Sequence, residues 1–325
     1  AIAAITGDIN DVAITSTTSI TLSGDITTAK DTNDTTTSAH GDVTLTGPVL
    51  LADNITIDTD STGNDGDVSM TSTVMSSADG GEKTLTITSG GGPVNIADAI
   101  GGTDLRQLGG LSINASSGSG TIEVEEIGVS NTNAGVDGDV TIGNSTTTEI
   151  TFDGALYSVG DANGHDLLVT AADGETIKFT KGASTEVVTP FATGGTITFA
   201  TGSIYLDTST PLTINSKGAA ISVAKVYGVA GGDNNLTIDA DSTGGASTTE
   251  TITIGAIGSG DEIAAVTLDA ADGITFTGDI ELADHAGADL DINGKVFISG
   301  DVTITTDNTT DDGTINFSST IDGVT

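Results

Sequence analysis

Apolar and polar positions alternate in short bursts along almost the entire chain. The recurring unit is apolar–polar–apolar with Thr or Ser in the middle, as in Val43-Thr44-Leu45, Ile55-Thr56-Ile57, Leu85-Thr86-Ile87, Leu111-Ser112-Ile113 and Val140-Thr141-Ile142. It returns later as Ile197-Thr198-Phe199, Leu236-Thr237-Ile238, Ile252-Thr253-Ile254 and Val302-Thr303-Ile304. A period of two sends both apolar residues to one face of an extended strand and the Thr to the other. The β-branched side chains suit a pleated, half-buried surface. Roughly 28 such triplets occur, about one every 11–12 residues, separated by the turn formers Gly, Asp, Asn and Ser. No window shows the i, i+3, i+4, i+7 stripe of an amphipathic helix. The pattern predicts an all-β protein.

Many short strands at even spacing fit a sandwich, a barrel, a propeller or a β-solenoid. The solenoid is favoured because the strands are often three residues long and aromatics are scarce, with 7 Phe, 3 Tyr and no Trp. Stacked Ile, Val and Leu fill a narrow core in which each coil touches only its neighbours. A propeller would carry a stronger aromatic signature in each blade. Coils of roughly 20–25 residues would give about 13–16 of them, and a rod of about 60–80 Å at the inter-strand spacing of ~4.8 Å.

A longer repeat overlies the short one. Residues 47–74, GPVLLADNITIDTDSTGNDGDVSMTSTV, align without a gap on residues 294–321, GKVFISGDVTITTDNTTDDGTINFSSTI. The offset is 247 and 11 of 28 positions are identical, among them Gly47/Gly294, Asp60/Asp307, Asp65/Asp312 and Gly66/Gly313. Just upstream, ITLSGDI at 20–26 matches ITFTGDI at 274–280 at an offset of 254. Weaker matches at offsets of about 151–157, such as Leu85-Thr86-Ile87 against Leu236-Thr237-Ile238, compete with simple convergence in a chain of such composition. Residues 1–325 therefore read as one continuous solenoid holding about 1.3 copies of a unit near 250 residues, as a segment of a tandem array would.

Runs such as GDVTLTGPVLLADNITIDTDSTGNDGDV resemble the β-strand-repeat regions of giant bacterial surface proteins, of which the filamentous-haemagglutinin-like adhesins are examples. The resemblance lies in style and composition over essentially the whole chain. It implies a right-handed parallel β-helix, secretion, and an extracellular or cell-surface role in adhesion or fibre formation in a bacterium.

Charge narrows the chemistry. The chain carries 8 Lys plus Arg against 46 Asp plus Glu, for a net charge of −38. Eight cations cannot form the basic stripe that nucleic acid requires. No apolar run is long enough for a membrane-spanning helix. The absence of Cys excludes a disulfide frame and thiol chemistry. The single Arg, Arg106, and the neighbouring Lys178 and Lys181 read as solubilising surface residues. His40, His165 and His285 sit in turn-like contexts 125 and 120 residues apart. No nucleophile elbow or phosphate-binding loop appears. Carboxylate pairs are too numerous for any one to mark a glycosidase site. The chain reads as a non-enzyme.

Calcium is the one cofactor suggested, because hard cations take carboxylate and carbonyl oxygens. The candidate ligands are Asp58, Asp60, Asp65 and Asp67, with Asp307, Asp311 and Asp312 in the repeat partner; the competing reading makes them turn residues and solvating charge. A flat Thr array for ice is the remaining alternative, and it requires Thr stacked on one face of regular coils. The expected function is mechanical: a building block that continues as a tandem array or pairs with itself end to end, since an uncapped solenoid ends in an open strand edge. An adhesin shaft binding a cell-surface or host glycan is the alternative and predicts an aromatic cluster on one face. A polysaccharide-active enzyme ranks below both.

Overall fold

The computed structural model describes residues 1–7, 11–28, 41–60, 65–77, 82–102, 106–114, 120–130, 134–161, 163–181, 184–190, 194–207, 211–229, 234–241, 249–258, 263–283, 287–306 and 313–324. They form 33 short strands and no helix. Every strand pairing is parallel, and each strand lies against the one about a coil earlier and the one about a coil later. This is a parallel β-helix, an all-β solenoid as the alternation predicts. Its coils have three faces, met in chain order as first, second and third.

The register fixes the interior. On the second face the pairings stack Val12, Val43, Val68, Val94, Ile122, Ile150, Ile177, Ile204, Val226, Ile257, Ile280 and Ile304 into one column. Every member is β-branched, the residue type with the best fit to a pleated surface whose inner side is wholly buried. A one-residue slip would replace this column with its outward neighbours, so the register is strongly held. On the first face one column runs from Ile5 and Ile26 through Ile57, Ile87, Ile113 and Ile142 to Ile298 and Gly323, in twelve steps. Steps range from 21 residues (Ile5 to Ile26) to 31 (Val223 to Ile254), so the coils are fewer and longer than 20–25 residues each would give. The added length lies in the corners, whose extent the strand pattern does not set. At ~4.8 Å per step the stack is about 58 Å long.

Aromatic residues are few but concentrated inside. Phe152, Tyr157, Phe179 and Phe199 meet in the middle coils, with Phe152 and Phe179 stacked at 5.0 Å and Tyr157 edge-on to Phe152 at 4.6 Å. The Tyr157 hydroxyl donates to the Glu125 carbonyl at 2.7 Å and accepts from the Gly154 N–H at 2.7 Å. The core here is filled by aromatic rings, beyond the purely aliphatic ladder expected.

The corners use a recurring polar bond. Thr28, Thr59 and Ser89 are buried and donate their hydroxyls to the carbonyls of Gly41, Gly66 and Gly92 at 2.6–2.7 Å. Successive glycines stack so closely that a Cβ on Gly66 would strike the Gly41 carbonyl, so no larger residue fits there.

Candidate functional site

The outward columns differ sharply between faces. On the first face the residues between the inner apolar pairs are Thr56, Thr86, Ser112, Thr141, Leu168, Thr198, Ser222, Thr253 and Thr275, stacked in register. Eight of these nine are hydroxyl residues and none is charged, on a molecule of net charge −38. Two shallow depressions of about 320 and 300 Å³ lie along this column, one between Asp139 and Thr198 and the other between Thr84 and Thr141. Asp139 and Thr141 line both, so they form one trough along the axis.

Acidic residues border the trough. Asp139 accepts the Asp166 backbone N–H at 3.0 Å and meets His165 Nδ1 at 3.1 Å. The N–H bond, followed by His165, holds the Asp139 carboxyl below the usual carboxylate range. His165 Nε2 also lies 3.4 Å from Asp161. Beside them burial, followed by a hydrogen bond and like charge from Glu82, pushes Asp137 up to about 6. Asp137 therefore keeps its proton to a higher pH than Asp139 does. His165, in a turn-like context by sequence, has partners one coil back (Asp139) and four residues back (Asp161); His40 and His285 lie outside the described residues. The 26-residue spacing of Asp139 and His165 is one coil, a signal legible only once the coil length is known.

The calcium candidates do not converge. Asp58 accepts the Asp60 N–H at 3.1 Å, and Asp65 accepts the Gly91 N–H at 2.7 Å. Asp67 donates its own N–H to Asp42 at 2.9 Å. Burial, then the Asp42 charge, raises the Asp67 pKa. Among the described residues no three His, Asp or Glu side chains come together to hold a metal ion. Asp307, Asp311 and Asp312 lie outside the described residues. Asp65 shares a structural task with Asp11, Asp25, Asp42, Asp139, Asp166, Asp279 and Asp289. A carboxylate just before a strand accepts an N–H from the next coil, as Asp166 does from Thr196 at 2.7 Å and Asp279 from Thr303 at 2.7 Å. Two of the cations are likewise paired across coils, Lys178 with Glu149 and Lys181 with Glu125 at 3.2 Å.

The other conspicuous surface is the last coil. Ile315, Ile321 and Val324 are 40, 52 and 55% exposed, and Phe317 is half-buried. Their counterparts by the 247-residue offset are covered: Val68 at 1% and Val74 at 0%. The hydrogen bonds repeat at the same offset. Thr59 bonds Gly66 at 2.7 Å and Thr306 bonds Gly313 at 3.0 Å. The Asp67 N–H reaches Asp42 at 2.9 Å and the Thr314 N–H reaches Asp289 at 2.8 Å. The last coil thus presents the same inner columns as the interior with nothing stacked on them.

Taken together, three-faced coils and continuous inner columns define a β-solenoid repeat protein. The chain matches no protein-family model, no curated protein and no solved structure. Among the described residues no helix is long and apolar enough to cross a membrane.

Proposed function

We propose that the chain is a non-enzymatic structural block of an extracellular bacterial fibre or giant cell-surface protein, built by axial stacking. The observation that carries this reading is the last coil, where Ile315 and Ile321 stand exposed directly above the buried Leu290 and Val296. A second copy seated there covers apolar side chains worth up to about 1.5–3 kcal/mol each when fully buried. It also pairs the open edge of the last strands. The sides are acidic, so self-repulsion opposes lateral clumping and favours growth along the axis. The test is electron microscopy of the full chain at rising concentration, in calcium and in chelator, beside Ile321→Lys. Filaments one solenoid wide, lost in Ile321→Lys, support the reading. Short separate rods at every concentration sink it for separate chains. Loss of filaments in chelator alone would make calcium part of the junction.

A second reading has its own observation. Tyr205 and Tyr227 stack outward on the second face at 5.1 Å, with Lys225 Nζ 5.4 Å from the Tyr227 ring. This is an aromatic pair of the kind that a glycan-binding adhesin shaft uses. Glycan binding that disappears in Tyr205→Ala without loss of folding would favour it.

A further inference from the structure

The 247-residue offset moves every matched strand to a different face. Residues 49–51 lie on the third face and 296–298 on the first. Residues 55–58 lie on the first and 304–305 on the second, while 68–70 lie on the second and 315–317 on the third. The upstream match agrees independently: 20–22 lie on the third face and 274–276 on the first. Followed along the pairings, Val49 sits at the second level of the third-face stack and Val296 at the twelfth level of the first. That is 28 successive faces, or nine full turns and one face.

We infer that successive units of an array built from this sequence are turned by one face, a third of a turn, so that the array is a three-fold screw. The occupant of the open last coil is then a second copy of the sequence that follows Val74, entering one face further round. In this chain Thr86 stacks against Thr56 on the first face. In the array, Thr86 of the added unit stacks against Thr303, the counterpart of Thr56, on the second face. The hydroxyl-lined trough passes from the first face to the second and then the third over three units. A partner that recognises it meets it on every side of a long fibre, with no privileged flank. This inference rests on the reading of the chain as a unit of an array, but its test uses a single covalent chain and is independent of whether separate chains assemble.

The experiment extends the full chain at Ile321 with a second copy of residues 75–321. The chain has no native cysteine, so introduced pairs report without background. Stacked residues on adjacent coils lie ~4.8 Å apart, within the span of a disulfide. One variant carries Thr303→Cys with Thr86→Cys in the added copy. The other carries Phe297→Cys with Thr86→Cys in the added copy, a first-face pair that meets only if the added unit returns Thr86 to the face it holds in the first unit. The expected result is near-complete cross-linking of the first pair under mild oxidation and little of the second. Preferential cross-linking of the second pair overturns the inference. So does an added copy that cross-links in neither variant and is digested by protease while the first unit survives, because the last coil would then not template the next.

Discussion

Residues 47–74 and 294–321 are two copies of one sequence pattern in two situations, identical at 11 of 28 positions. The first copy has coils on both sides, the second on one. Both make the corner bond from Thr to Gly and both donate a backbone N–H, from Asp67 and Thr314, to an Asp of the coil beneath. Local geometry is therefore set by the coil's own residues and the coil beneath. What the second copy lacks is cover, and Val74 at 0% against Ile321 at 52% measures it. In a stack where each coil touches only its neighbours, the apolar contribution of a coil is shared between its two interfaces. The last coil makes one of them, and that is the physical ground for the proposal that it acquires a partner.

Substitutions at matched positions sharpen or break this comparison. The largest difference is expected from charge. Val74→Asp places an unpaired carboxylate in the buried column and should cost about 3–5 kcal/mol or prevent folding. Ile321→Asp leaves its charge in water and should cost under about 1 kcal/mol; urea unfolding of both variants measures the gap. Next comes truncation. Ile57→Ala opens a cavity between two coils at a cost of about 2–5 kcal/mol. Ile304→Ala, at a half-buried site, should cost less than half as much by the same measurement. Equal costs in either pair would mean that the last coil is already covered in solution.

A smaller effect is expected at the corner. Thr59→Val removes the hydroxyl that donates to the buried Gly66 carbonyl and should cost about 1–2 kcal/mol, with Thr306→Val costing less. The smallest prediction concerns pH. Asp67 has a raised pKa from burial and from Asp42, whereas its counterpart is the uncharged Thr314. A carboxyl with a raised folded pKa is destabilising when ionised, and the penalty disappears below its unfolded pKa. Asp67→Thr should therefore raise the Tm at pH 7, and the gain should shrink as pH falls towards 4. A gain that grows towards low pH would contradict the assignment.

Much of this architecture is legible in the sequence. The apolar–Thr–apolar triplets mark the strands, and their even spacing with scarce aromatics marks a solenoid. Two properties are hidden because they depend on coil length, which the variable corners decide. One is the number of coils. The other is the face on which a residue stands, so that Thr56 and Thr303 match in sequence yet lie on different faces. The acidic residues were legible as turn formers, but their service as N–H acceptors for the next coil requires the register. The pairing of His165 with Asp139 requires it for the same reason. The inward placement of Phe152, Tyr157 and Phe179 needs the stacking of non-adjacent segments, to which a local alternation pattern is blind.

Hydrogen exchange of the full chain at two concentrations tests the central claim most directly. In dilute solution the account predicts strong protection of amides in 49–58 and 68–76 and weak protection of their counterparts in 296–305 and 315–323. At concentrations where the chain assembles, the second set should slow towards the first. Protection of 315–323 that matches 68–76 in dilute solution, or that does not respond to concentration, would contradict an open last coil that acquires its cover from another copy.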